Sequence, residues 1–277
     1  MRSALATTAR RLHHFVEPVA LVTYQADEPT EALMALGLRN VWDCYFAGRA
    51  APLGRVPAEV VHAAFYNFAE GEVARHLPRV WDLTTPEEAI AARQQGSVAA
   101  LRRILGDLAD SPAVERAADV LTTAATSAST EGRIMYAALR TLAVPEQPMA
   151  RLWHAATLLR EHRGDGHVAA LLTAGIGGLE AHVLHALSEG IPAERFGRIH
   201  HLPASRLDAL VDGMRDRGLV GPAGWLSVAG RETKEHIEAR TDELAAPAYH
   251  VLERAELDQL VRDLEPLSTV LIAAGSR

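Results

Sequence analysis

Ala204-Ser205-Arg206-Leu207-Asp208-Ala209-Leu210-Val211-Asp212-Gly213-Met214-Arg215-Asp216-Arg217-Gly218-Leu219-Val220-Gly221-Pro222-Ala223-Gly224-Trp225-Leu226-Ser227-Val228-Ala229-Gly230-Arg231 is the stretch that decides the fold. Leu207, Leu210, Val211 and Met214 recur at the spacing of one helical face, which predicts a helix over 204–217. Pro203 opens it and Gly218 stops it. Leu219-Val220 reads as a short strand, 221–224 as a turn, and 225–228 as the return strand. A further helix begins at Ala229-Gly230-Arg231 and runs toward Leu244. Upstream, 181–188 is apolar-periodic and is stopped by Gly190. Pro192 then opens a short helix with Ala193, Phe196 and Ile199 inward.

Three helices, a two-stranded β-wing and a long closing helix make a winged helix-turn-helix. At Arg206-Leu207, Arg217-Gly218-Leu219-Val220 and the run 225–231 the chain resembles the winged-helix regulators of the MarR type. The chain as a whole is similar to a MarR-like winged-helix family of actinobacteria with duplicated halves. Tyr45-Phe46-Ala47-Gly48-Arg49-Ala50-Ala51-Pro52-Leu53-Gly54 and Arg160-Glu161-His162-Arg163-Gly164-Asp165-Gly166-His167 carry that likeness.

An internal repeat accompanies it. Segment 31–38 falls on 169–176, Asp27 on Asp165, Phe15 on Trp153, 56–59 on 191–194, and Trp81 on Trp225, in the same order along the chain. Ala-rich helices also align by chance, which is the competing explanation. If the repeat is real, the chain is a gene-fused version of the symmetric dimers common among small binding proteins. The fold class expected is therefore mainly α: two winged helix-turn-helix-like halves in a fused pseudo-dimer, with small β-wings. The N-terminal winged-helix-like half spans 1–140 and the C-terminal winged helix-turn-helix half 141–277. The seam between them is a natural place for a pocket.

Composition bounds the function. The 277 residues are 48% hydrophobic with only 5% aromatic, and the formal net charge is −7. Such a balance exerts no global pull on nucleic acid or anionic membrane, so a DNA reader must concentrate positive charge locally. The single cysteine, Cys44, excludes an internal disulfide and a cysteine-built metal site. Segment 1–14 is basic without an apolar core, and no apolar run approaches the ~20 residues of a membrane span. The expectation is a cytoplasmic protein with no membrane partner.

The helix at 204–217 would enter the major groove, with Ser205, Arg206 and Arg215 as the DNA-contacting candidates. Asp208, Asp212 and Asp216 are four apart and share a face with one another. Over 181–240 eight acidic and eight basic residues cancel, and the turn at 221–224 carries no base. A winged helix kept as scaffold is thus the alternative to a DNA reader, since phosphate neutralisation supplies most nonspecific affinity.

The densest chemistry lies at 153–167. Trp153-His154 opens a helical stretch that Arg160-Glu161-His162-Arg163 closes before Gly164, and Asp165 then caps a next helix or serves a ligand. Arg160 and Arg163 can clamp a carboxylate or phosphate, or make ordinary salt bridges at a helix end. His154 and Glu161 are two turns apart and are the catalytic candidates, as a general acid–base pair, if they converge. In the first half Trp42, Tyr45 and Arg49 share a face beside Phe46, with Tyr66 beyond, a surface suited to a planar anion or to packing between halves. The candidate ligand-binding set is Trp42, Tyr45, Phe46, Arg49, Tyr66, Trp153, His154, Arg160, Glu161, Arg163, Asp165 and His167. His162, His167, His182 and His185 lack the companions of a metal motif, so no metal and no cofactor is expected.

Together these features point to a small-molecule-responsive regulator of the MarR type, with a ligand pocket between its halves and DNA as a candidate partner. The ligand class is a small organic molecule, planar or anionic. The alternative is an enzyme or natural-product-binding protein that reuses the scaffold without DNA; a plain interaction module is a third reading. The chain would act as a monomeric pseudo-dimer or a homodimer.

Overall fold

A computed structural model of the chain describes residues 2–197 and 199–275. Among these residues it holds twelve α-helices: α1 (Arg2–Gln25), α2 (Asp27–Met34), α3 (Val41–Ala50), α4 (Ala58–Phe65), α5 (Pro86–Leu105), α6 (Pro112–Ser127), α7 (Ile134–Arg140), α8 (Pro148–Thr173), α9 (Gly178–Ser188), α10 (Ala204–Asp216), α11 (Val228–Ala245) and α12 (Arg254–Gly275). Local chemistry sets many of their starts. Thr85 and Glu88 form a reciprocal capping box on α5, Asn40 caps α3, and Ser227 accepts from the Gly230 amide at the start of α11. Pro86, Pro112 and Pro148 each occupy a first helical position, where the missing N–H costs nothing.

The helices enclose three apolar clusters. The central one draws Leu12 and Val19 from α1, Leu101 from α5, Leu121 from α6, Leu152 and Leu158 from α8, and Leu264 from α12. It therefore takes residues from both sides of position 140. A full burial there contributes roughly 1.5–3 kcal/mol for each leucine. The second cluster is N-terminal, around Phe46, Val61, Phe65 and Trp81. The third is the helix-turn-helix core of α9, the 3-10 turn Ala193–Arg195, α10 and α11, built on Val183, Leu184, Ile199, Leu207, Met214 and Ile237. Helix α6 packs along α8 and α12 along α1; α5 also meets α8, and α11 meets α1.

The expected β-wings are reduced. In the C-terminal part a single antiparallel bridge joins Val220 to Leu226. Pro222 has no donor for a ladder, and Ser227 turns the chain into α11 before a second pair can form. In the N-terminal part, 66–85 forms short 3-10 turns at Val73–Arg75 and Arg79–Asp82 and no strand. Its amides bond locally, Leu77 N to Val73 O and Trp81 N to Pro78 O. The buried Asp43 carboxylate pins the segment by accepting from His76 Nδ1 at 2.7 Å and Arg79 at 2.8 Å. No single helix among the described residues is long and apolar enough to cross a membrane.

Candidate functional site

Helix α8 organises the site. Its Leu152, Trp153, Ala155, Leu158 and Leu171 are buried, and so are His154, Thr157, Glu161, His162 and Asp165. Polar groups in such a place must find partners. The helix runs unbroken through Gly164-Asp165-Gly166, so the expected helix end before Gly164 and the cap of a following helix are corrected. Asp165 does cap a helix, but a different one: its carboxylate accepts from Tyr136 N at 2.9 Å and Met135 N at 3.4 Å, in the first turn of α7. Burial raises its pKa to about 6, against the pull of the Tyr136 amide. Asp165→Ala should destabilise the chain by ~1–2 kcal/mol through the lost cap, while Asp165→Asn, which keeps an acceptor, should cost less. Urea unfolding at pH 7 measures the difference; equal losses for the two variants would remove the capping role.

A cavity of about 430 Å³ opens beside α8, walled by α1, α3, α9 and the end of α4. Of the ligand-binding candidates, Tyr45, Arg49, Tyr66, Arg160, Glu161, Arg163, Asp165 and His167 line it. Glu161 sits at its floor and accepts from Arg49 at 3.1 Å and from Arg160 at 2.9 Å. Burial alone would raise the Glu161 carboxyl, but the two arginines outweigh it and hold the pKa at about 2. Arg49 also donates to the Tyr45 hydroxyl at 3.1 Å and lies 4.2 Å above the Phe65 ring. Arg160 stands 5.5 Å over Tyr24. Arg163 ties α8 to α11 through Asp242 at 3.0 Å and Glu238 at 3.3 Å. His167 pairs with Thr241 at 2.9 Å. The Nε atoms of Arg49, Arg160 and Arg163 are buried without a hydrogen-bond partner. Tyr66 holds a positive φ of 65° at the cavity wall, a conformation that side chains other than glycine rarely adopt, and its hydroxyl donates to Ile176 O at 2.5 Å.

The other candidates lie elsewhere. Phe46 is fully buried, stacked on His76 at 4.8 Å and on Phe65 at 6.2 Å. Trp42 is exposed and meets Tyr45 edge to face at 5.7 Å. Trp153 donates to Thr23 Oγ1 at 2.9 Å and, with His154, lines a different cavity from Glu161. The two catalytic candidates are thus not brought to one place: seven residues of α8 separate them by about 10 Å of rise. Among the described residues no three His, Cys, Asp or Glu side chains gather as a metal site. His162 packs on the edge of Tyr136 at 4.9 Å, and His182 bonds Asn67 O at 3.0 Å.

On α10, Leu207 and Met214 point inward, while Ser205, Arg206 and Arg215 are exposed. So are Asp208, Asp212 and Asp216, and Arg215 is paired with Asp212. Sequence reasoning missed Glu17, Tyr24 and Arg93, whereas the aromatic run Phe65-Tyr66-Asn67-Phe68 was legible as a segment that packs or lines a cavity, and Phe65 does line it. His13 and Glu17 are four apart, a spacing that could have been read, and bond at 3.0 Å. Arg93 is a lone charge on the small-residue face of α5, among Ala89, Ala92 and Ser97.

Fold and site define a mainly helical protein with a polar, arginine-rich cavity set against a helix-turn-helix unit. A helix-turn-helix family model matches residues 9–277, and the chain belongs to that family. No curated protein and no solved structure matches it.

Proposed function

We propose that the chain is a ligand-responsive helix-turn-helix protein, a cytoplasmic transcriptional regulator of the MarR type folded as a single-chain pseudo-dimer. The observation that carries this reading is the cavity where Arg49, Arg160 and Arg163 keep Nε donors without a hydrogen-bond partner beside Tyr45, Phe65 and Tyr66. That combination suits a planar organic anion, held by charge and by aromatic faces. The same cavity is walled by His182, His185 and Phe196 of the helix-turn-helix unit, so an occupant would bias that unit's position.

Several features support two related halves. The packing of α6 on α8 has a counterpart in α12 on α1, and α5 on α8 in α11 on α1. Gly37 and Gly175, matched in the repeat, both end a helix with positive φ, 95° and 67°. Pro57 and Pro192, also matched, both stand immediately before a helix start, that of α4 and that of the 3-10 turn Ala193–Arg195.

The test is fluorescence anisotropy with DNA from upstream of the protein's own gene, over a range of salt. Binding should appear at low salt, weaken steeply as salt rises, and fall with Arg206→Ala. The exposed acids Asp208, Asp212 and Asp216 favour a second reading: an enzyme or sequestering protein that keeps the cavity and has lost DNA. No binding at low salt, together with a ligand retained in native mass spectrometry of protein from its own host, would replace the first reading by the second.

A further inference from the structure

A second cavity, of about 280 Å³, lies further toward the start of α8, between that helix, α5 and the end of α7. Its walls are largely apolar: Trp153, Leu139, Leu142 and Ile90. Five polar side chains also line it, and three of them are at least nine-tenths buried: Arg93, His154 and Thr157, at 4%, 4% and 2% exposure. Each of these three has an atom without a hydrogen-bond partner: Arg93 Nε, His154 Nε2 and Thr157 Oγ1. In most proteins a buried helical threonine returns its hydroxyl to a carbonyl one turn back. Thr157 does not, although Thr241 on α11 does, to Ile237 O at 2.7 Å.

Arg93 is the more telling group. It gives one terminal nitrogen to Gly48 O at 3.4 Å and the other to the Tyr24 hydroxyl at 3.1 Å, and it lies 5.4 Å from the Trp153 ring centre. No carboxylate pairs with it among the described residues. A buried cation offset only at a distance, by Glu161, is costly unless a bound anion supplies the charge.

We propose that this cavity is a second ligand site, separate from the arginine-lined one, that binds a compact monocarboxylic acid with an apolar body. The carboxylate accepts from Arg93 Nε, from His154 Nε2–H and from the Thr157 hydroxyl. The body lies against Trp153, Leu139 and Ile90. Burial, with Arg93 and Arg140 nearby, lowers the His154 pKa to about 4, so at neutral pH the ring is an uncharged donor and Arg93 supplies the charge. At 280 Å³ the space equals roughly nine waters, enough for an acid of six to eight carbons. Glu87 and Gln94 complete the polar lining, Glu87 exposed and Gln94 half-buried.

The probe is cyclohexanecarboxylate, with its primary amide as the uncharged match, in calorimetry and thermal unfolding of the full chain. The carboxylate should bind and raise Tm, and the amide should do neither. Thr157→Val removes a hydroxyl that has no partner in the free protein, so it should fold as the parent does yet bind the carboxylate roughly tenfold more weakly. Arg93→Gln should lose at least as much; if it fails to fold, Thr157→Val still decides. His185→Ala alters the first cavity alone and should leave the affinity unchanged. Equal binding of acid and amide, absence of carboxylate binding, or parental affinity in Thr157→Val overturns the proposal.

Discussion

Replacing Glu161 by Ala should lower the stability of the chain by roughly 3–5 kcal/mol, the cost of leaving a buried charge without its partner. Glu161 is 2% exposed and serves two guanidinium groups at once, Arg49 from α3 and Arg160 from its own helix. Without it, two cations face each other in a cavity, with Glu17 reaching Arg160 only at 3.9 Å. The coupling also joins distant parts of the chain, since Arg49 stands on α3, which feeds the N-terminal apolar cluster, and Glu161 on α8, which feeds the central one. Glu161→Gln should fall between parent and Glu161→Ala, because an amide oxygen still accepts a hydrogen bond but carries no charge. The freed arginines then form an anion site, so sulfate should stabilise Glu161→Gln more than it stabilises the parent. Urea midpoints with and without sulfate measure both effects. Variants within about 0.5 kcal/mol of the parent, the range of ordinary surface substitutions, would mean that the carboxylate does not hold the cavity together.

How far the sequence foretells this site depends on distance along the chain. The helix at 204–217 was legible, because its apolar stripe obeys one period and its ends carry Pro203 and Gly218. The concentration of polar residues at 153–167 was legible too, as was the Tyr45–Arg49 face. The partition was not. One helix carries all of 153–167, and the sequence offered Gly164-Asp165-Gly166 as its break. Tertiary packing overrides that signal: at Gly166 a Cβ would stand 2.8 Å from Arg133 Nη1 and 3.2 Å from Leu244. The glycine is there for the close approach of α11 and Arg133, not to end a helix. Likewise Asp165 looked like a local cap, and its true partners, Met135 and Tyr136, lie thirty residues back. Arg10 and Asp242, bonded at 2.5 Å, are 232 positions apart, and no local pattern announces such a pair. The C-terminal wing failed for a local reason that the sequence did contain, a proline in its four-residue turn and a helix-capping serine two residues beyond the Trp225 that follows it.

Acid should unfold this protein earlier and more cooperatively than its carboxylates alone would dictate. Burial lowers the pKa of three α8 histidines: His154 to about 4, His162 to about 3 with help from Arg133, and His167 to about 4. In the unfolded chain each titrates near 6.5. Between those limits the unfolded state binds the extra protons, so the stability they contribute is complete above about pH 6.5 and is lost as pH falls toward 4. Asp165 opposes them. Its folded pKa of about 6 lies above its unfolded value of 3.8, so the folded state holds its proton in the same window and gains as pH falls. Three histidines against one aspartate leave a net uptake of about two protons on unfolding, or roughly 2.7 kcal/mol per pH unit. A total stability of about 5–15 kcal/mol does not survive many such units. Below pH 4.5 the lowered carboxyls of Glu161 and Glu238, both held at about 2, add to the loss as they too take up protons on unfolding. Urea midpoints should therefore be flat above pH 7 and fall steeply from pH 6 to pH 4. His162→Phe, which keeps the packing against Tyr136, should remove about one proton from the slope, roughly 1.4 kcal/mol per pH unit. A parental slope of one proton or fewer would mean that these histidines are charged in the folded chain, and the dry interior assigned to α8 would be wrong.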